Sequence, residues 1–181
     1  MKPCHSLGLA LVLTTLLPAL AGAALLADKG AASFSAVGPG GLHINGDTSE
    51  VSVAESKDQV QVTVALAKLD SGISLRNRHM REKYLEVQKF PDAQLLVPRS
   101  ALQFPEEGQE LKGAADGSLK LHGRSHAVHF GYRARKGQGA FDVNGTMTID
   151  IRDFGIDVPS YMGLTVKPNI DVSIHFVARD S

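Results

Sequence analysis

The segment from Phe141 to Phe154, FDVNGTMTIDIRDF, alternates between two kinds of residue. Every odd position from 141 to 151 is apolar or glycine, and every even position from 142 to 152 is polar or charged. Because successive side chains of a β-strand point to opposite faces, the pattern predicts a strand with one buried and one solvated face. A strand buried on both faces would be apolar throughout. The segment therefore indicates an antiparallel all-β protein whose inner faces enclose an apolar interior.

The same alternation recurs along the rest of the chain and predicts about eight strands joined mostly by short turns. The other alternating segments are 32–37, 42–54, 58–68, 93–104, 112–122, 127–135 and 165–179. Residues 74–90 carry clustered charges with apolar residues at helical spacing, which predicts a short helix between the third and fourth long strands. An even number of sequential strands favours an eight-stranded antiparallel barrel, although a two-sheet sandwich would alternate in the same way.

The N-terminus has the features of a secretory signal peptide. Lys2 precedes an apolar run over residues 7–20, and two small-residue cleavage motifs end at Ala21 and Ala23. We predict a cleaved signal peptide over residues 1–23 and one barrel domain over residues 24–181, with an uncleaved N-terminal anchor as the alternative. The mature protein would be periplasmic or secreted. Cys4, the only cysteine, lies in the predicted signal peptide, so no disulfide is expected.

The charge balance argues against two classes of partner. The chain has 19 Lys and Arg residues against 19 Asp and Glu residues, and its sequence pI is about 7.1. No basic excess is present to attract nucleic acid or an anionic membrane surface. We therefore expect no nucleic-acid partner and no stable membrane insertion after the signal peptide is removed.

Catalytic and metal-binding patterns are weak. No nucleophile elbow, phosphate-binding loop or dinucleotide fingerprint occurs in the sequence, so we predict no catalytic residues, no cofactor and no enzymatic activity. His122, His126 and His129 resemble a metal-ligand cluster by spacing. A turn is predicted between the first two, and His129 falls on the outward face of its strand, so we predict no metal site.

The inward-facing positions of the predicted barrel are the candidate ligand site. Small residues there either leave room for a slender apolar ligand, or are covered by larger neighbours or mark bulges. The predicted wall residues are Val62, Val64, Leu66, Leu119, Leu121, Phe130, Tyr132, Phe141, Val143, Met147, Val172, Ile174 and Phe176, and the predicted small residues are Gly113, Ala115, Gly117 and Gly145. If the helix caps the barrel, Arg76 and His79 could contact a polar head group; otherwise they begin a solvated helix.

A series of short motifs resembles the YceI family in order and spacing across nearly the whole predicted mature chain. They are LDSG at 69–72, RNRHM at 76–80, YLEV at 84–87, KFP at 89–91, LKLHG at 119–123 and IRDFGI at 151–156. The resemblance implies a lipocalin-like antiparallel β-barrel, usually exported to the bacterial periplasm, whose pore takes polyisoprenoids or other long amphiphiles. It transfers no catalytic residues. Asn77 stands where the family pattern has Asp, and AQLLV at 93–97 also departs from it.

Residue pattern and resemblance together predict an exported lipid-binding protein. It would sequester or carry a polyisoprenoid or another long-chain amphiphile, so the expected partner is an isoprenoid or fatty amphiphile. The alternative is a ligand-free structural or interaction barrel that acts through a protein partner, and an enzyme acting on lipids ranks third. Strand edges could also pair two copies as a homodimer.

Overall fold

A computed structural model describes residues 25–27, 30–56, 58–161 and 164–180. The predicted signal peptide lies outside the described residues. The strands are β1 (Leu25–Ala27), β2 (Gly30–Val37), β3 (His43–Thr48), β4 (Val51–Ser56), β5 (Gln59–Ala65), β6 (Asp92–Pro98), β7 (Glu110–Leu121), β8 (Arg124–Gly137), β9 (Ala140–Asp150), β10 (Ser160–Tyr161), β11 (Leu164–Thr165) and β12 (Asn169–Asp180).

Eight of these strands form a closed antiparallel ring. The order is β1-β4-β5-β6-β7-β8-β9-β12, and β12 closes the ring by pairing with β1, where Leu25 lies opposite Asp180. β2 and β3 pair with each other and continue the wall beside β12. The closing pair distinguishes a barrel from a two-sheet sandwich, so the predicted eight-stranded barrel is confirmed.

The helical interruption also lies where it is predicted, between β5 and β6. It consists of α1 (Ser74–His79) and a π-helical turn over Met80–Tyr84, and it ends before the expected boundary at Phe90. Met80 and Tyr84 pack against the barrel core, which fits the apolar stripe read from the sequence. None of the helices among the described residues is both long and apolar enough to cross a bilayer.

The strand of the opening motif ends two residues earlier than its alternation. Asp150 accepts a hydrogen bond from the backbone N–H of Arg152 at 2.9 Å, and its carboxylate pairs with the Arg152 guanidinium at 2.5 Å. This capping turns the chain into a 3-10 helix, Ile151–Phe154, which buries both of its end residues. The strand therefore ends at the i,i+2 ion pair between Asp150 and Arg152.

The strand predicted over 93–104 is divided at Pro98. Proline has no backbone N–H to donate to a β-ladder, and β6 ends at this residue. A 3-10 helix, Arg99–Ala101, and an irregular stretch follow before β7 begins. We call residues 99–109 the cover segment, because Leu102 and Phe104 in it face the barrel interior.

Candidate functional site: an apolar cavity in the barrel

The barrel encloses an apolar cavity of about 90 Å³. Seven barrel strands and the cover segment contribute to its wall, and no charged residue belongs to the set that lines it among the described residues. The lining residues are Leu25, Val53, Val60, Val62, Leu95, Val97, Leu102, Gln103, Phe104, Phe130, Tyr132, Ala134, Phe141, Val143, Gly145, Thr146, Met147, Val172, Ile174, Phe176 and Ala178. Such a surface favours hydrocarbon over any polar ligand.

The cover segment is held over one end of the cavity by polar and aromatic contacts. The backbone N–H of Gln103 donates a hydrogen bond to the Tyr132 hydroxyl at 2.7 Å. The ring of Phe104 meets that of Phe141 edge to face, with centroids 5.7 Å apart. Few strand hydrogen bonds hold this segment, so it is the part of the cavity wall that can move with least loss of backbone pairing.

An ion pair anchors the start of the cover segment to the barrel. Arg99 Nη1 pairs with Glu55 Oε2, and the Glu55 side chain is only 10 % exposed. The same carboxylate oxygen accepts the backbone N–H of Leu25 at 3.2 Å. The carboxylate therefore has two donors that compensate its burial at the end of β4.

Ten of the predicted ligand residues line the cavity. They are Val62, Phe130, Tyr132, Phe141, Val143, Gly145, Met147, Val172, Ile174 and Phe176. Nine others do not belong to the lining set, namely Val64, Leu66, Arg76, His79, Gly113, Ala115, Gly117, Leu119 and Leu121. Ligand contact by either group stays a prediction, since the geometry shows only which side chains face the open space.

The small residues of β7 do not border open space, because larger side chains lie over them. A Cβ atom built on Gly113 would lie 2.6 Å from Cζ of Tyr132. One built on Gly117 would lie 3.0 Å from Cδ1 of Leu95. The wall of the free volume therefore comes from the other seven barrel strands and the cover segment, and no β7 residue belongs to it.

Several lining residues escaped the sequence reasoning. Val60, Ala134 and Ala178 continue alternations already recognised in their strands, so the signal was present and could have been extended to them. The alternation over 93–104 predicts strand for Leu102 and Phe104, and no local pattern indicates that they fold over the cavity. Only Pro98 pointed to a change of direction there.

Arg76 and His79 lie on α1, whose position is fixed by a polar network around Asn77. The Asn77 side-chain amide donates to Asp70 Oδ1 at 2.7 Å, and its oxygen accepts the backbone N–H of Ser71 at 2.8 Å. The Gly72 N–H also donates to Asp70 Oδ1. The bond from Asn77, followed by that from Gly72, lowers the pKa of the Asp70 carboxyl from its ordinary value of 3.8. An amide at position 77 can donate to Asp70, which an ionised carboxylate could not do.

Asn77→Asp is expected to lower the melting temperature by a few degrees at pH 7. The change removes the bond donated to Asp70 and places two carboxylates side by side, which raises the pKa of at least one in the folded state. Because a carboxyl with a raised pKa is destabilising when it is ionised, the loss of stability is largest at pH values where both carboxyl groups are ionised. It shrinks as the pH falls toward about 4. Thermal unfolding at both pH values, with the exposed Asn45→Asp as control, measures this. A variant as stable as the wild type at pH 7 would contradict the network's role.

The histidines do not assemble a metal centre in the described part of the chain, where no group of three or more metal-ligating side chains occurs. His129 Nδ1 lies 2.8 Å from Asp116 on the exposed outer face. His122 instead connects structural elements: its Nε2 lies 3.0 Å from Glu86, and its Nδ1 lies 3.2 Å from the Phe154 carbonyl. This contact ties the segment after the helix to the end of the barrel.

The YceI-like domain matches residues 28–178, which is most of the chain. The chain belongs to the YceI-like domain family. No curated protein matches the chain. The family match agrees with the resemblance seen in the motifs and with the barrel described above.

Solved structures share the fold of this YceI-like chain at low sequence identity. A polyisoprenoid binding domain from Saccharophagus degradans, implicated in plant cell wall breakdown, is 17% identical with a TM-score of 0.75, covering 88% of this chain and 99% of that one. BcnA of Burkholderia cenocepacia is also 17% identical, with a TM-score of 0.62 over 81% of this chain and 95% of its own. The YCEI protein of Campylobacter jejuni is 18% identical, with a TM-score of 0.50 over 68% and 72%.

Proposed function

We propose that this YceI-like protein binds an amphiphile by enclosing its apolar tail in the barrel cavity, and so sequesters or carries it. The observation that supports this most strongly is the cavity itself, whose lining set contains no charged residue among the described residues. Each methylene moved from water into such a site contributes about 0.8 kcal/mol. The polyisoprenoid named for the relative from Saccharophagus degradans suggests an isoprenoid tail as one candidate.

The size of the cavity bears on the length of the tail. One water-sized group needs roughly 10–15 Å³ of such space, so a cavity of about 90 Å³ has room for about six to nine such groups. A tail of that length fits the barrel as it stands. A longer isoprenoid or fatty chain requires the cover segment to move or part of the tail to extend beyond the barrel.

Export of the protein from the cytoplasm is the second part of the proposal. The predicted signal peptide supports a periplasmic or secreted site of action, where a soluble carrier keeps an apolar tail out of water. Binding without chemistry is the proposed activity, because no nucleophile with an adjacent base was recognised in the sequence.

A ligand-free barrel acting through a protein partner is the second candidate. The covering of Gly113 by Tyr132 and of Gly117 by Leu95 favours it, because these contacts fill one side of the interior with the chain's own side chains. The two candidates differ in one measurable property, which is whether an apolar ligand occupies the remaining space.

Native mass spectrometry of the purified protein, followed by extraction and identification of any bound lipid, tests the proposal. The protein is also incubated with straight-chain alcohols and isoprenoid alcohols of increasing length, with acetate as a polar control. We expect a one-to-one adduct with an apolar-tailed compound and none with acetate. A bare protein mass under every condition would overturn the proposal and favour the ligand-free barrel.

A further inference from the structure

Two basic side chains lie at the end of the cavity that the cover segment crosses. Lys136 follows Ala134 on the inward-facing side of β8, and it lies opposite Phe141 in the β8–β9 register. Its Nζ is 4.8 Å from the centroid of the Phe141 ring. The guanidinium carbon of Arg99 is 4.4 Å from the centroid of the Phe104 ring. Both rings line the cavity, so the two cations flank the aromatic end of the apolar space.

The two cations differ in whether their charge is already compensated. Arg99 already forms an ion pair with the largely buried carboxylate of Glu55. Lys136 forms no ion pair with a side chain in the described ranges. Glu107, in the cover segment, directs its Oε1 to the backbone N–H of Gln138 at 2.6 Å. Lys136 is thus a half-buried cation, with no acidic partner described, placed where the apolar lining ends.

The backbone fixes Lys136 to the cover segment. Its N–H donates to the Gln109 carbonyl at 3.1 Å, and its carbonyl accepts the N–H of Gly108 at 3.0 Å. The backbone of Lys136 is therefore fixed at the rim of the cavity, and only the lysine side chain has to move for its ammonium group to reach a ligand. An anion in this position would be attracted to the Lys136 ammonium group beside the aromatic ring. The ring has a lower dielectric constant than open water, so it weakens this attraction less than water does.

We propose that the ammonium group of Lys136 binds the anionic head group of a single-tailed amphiphile, either a carboxylate or a phosphate monoester, whose tail lies in the cavity. The inference rests on the proposed function and names the chemical class of its ligand. Head and tail requirements are met at adjoining positions, since Phe141 contacts the cavity on one side and Lys136 on the other.

The sequence also predicts a different head-group pair, Arg76 and His79, which lie on α1. This helix follows β5 in the chain. The β5 residues that line the cavity, Val60 and Val62, lie in its N-terminal half, whereas α1 follows its C-terminal end. Buried Leu66 lies along the chain between that end and the helix. No residue from 63 to 94 belongs to the lining set, so α1 and its flanking segments do not border the cavity.

Dissociation constants for octanoate, octyl phosphate and 1-octanol at pH 7.5 and low salt test the proposal, because these share a tail and differ in head group. In the wild type we expect both anions to bind about three to ten times more tightly than the alcohol. Lys136→Met keeps the length and the contact with Phe141 but removes the charge, so it should abolish this preference by weakening both anions far more than octanol. Lys136→Arg should retain the preference, and Arg76→Met on α1 serves as the matched control that also retains it.

The outcomes separate this inference from the proposed function. Equal binding of all three compounds to the wild type would overturn the anionic head group while leaving the apolar site intact. Retention of the preference in a folded Lys136→Met protein, whether or not Arg76→Met loses it, would overturn Lys136 as its partner. Binding of none of the three would overturn the proposed function and this inference with it. If Lys136→Met unfolds, the preference in wild type must still fall in 0.5 M NaCl, and a salt-independent preference would contradict the proposal.

Discussion

Replacing Phe154 with alanine is expected to destabilise the protein by about 3–5 kcal/mol. The side chain is 1% exposed and is the largest of the fully buried side chains described. It closes the 3-10 helix at the end of β9, and its ring meets that of His126 edge to face at 5.3 Å. Removing the ring leaves a void that the surrounding strands can only partly close, because they are held by β-ladder hydrogen bonds.

Urea unfolding of Phe154→Ala against the wild type measures this loss. A domain of this size has a total free energy of unfolding of about 5–15 kcal/mol, so the variant should lose between about a fifth and all of it. Leu75→Ala on α1, where the leucine is 54% exposed, is the control and should change stability by less than about 0.5 kcal/mol. A loss below about 1 kcal/mol for Phe154→Ala would show that this end of the barrel is not tightly packed.

Val143→Phe is expected to weaken binding of an apolar amphiphile at least tenfold, which corresponds to about 1.4 kcal/mol. Val143 lines the cavity and lies in register with Ala134, whose small side chain leaves the new ring free to enter the open space. A ring in a cavity of about 90 Å³ displaces much of the tail that would otherwise occupy it. The added bulk should cost about 1–3 kcal/mol of stability at most.

The matched control is Val177→Phe on β12. Val177 is 44% exposed and lies opposite Asp142, the residue before Val143, on the outer face. The same substitution there should leave affinity within about twofold, since the ring remains in solvent. Titration of both variants with 1-octanol, with melting curves to verify folding, gives the comparison. Undiminished binding by a folded Val143→Phe protein would place the ligand elsewhere.

Much of the barrel could be predicted because the alternation that indicates each strand is visible in the local sequence. A strand with one buried face must alternate, and this pattern is visible in the sequence without knowledge of its neighbours. The position of Gly46 shows the limit of such reasoning. A glycine inside a strand pattern often marks a bulge, yet Gly46 lies within β3, where the ring of Phe34 packs in the space that a side chain would occupy. That requirement comes from a neighbouring strand and leaves no local pattern.

The candidate site was less predictable than the fold for the same reason. Whether a side chain points inward depends on its own strand. Whether it borders open space depends on the size of the side chains that the other strands place beside it. Tyr132 lies on the inner face, and its ring covers Gly113, for which the sequence left open both free space and covering by a larger neighbour. The cover segment forms after Pro98 by contacts with Tyr132 and Glu55, residues that are distant along the chain.

The most direct test of the account is the position of a bound tail, measured by nuclear magnetic resonance. The protein is labelled with carbon-13 at the methyl groups of methionine and isoleucine and is saturated with 1-octanol. The account predicts nuclear Overhauser effects from the ligand chain to Met147 and Ile174, which line the cavity, and none to the exposed Ile73 before α1. Effects to Ile73 with none to Met147 or Ile174 would contradict it, because the ligand would then lie on the outside of the barrel.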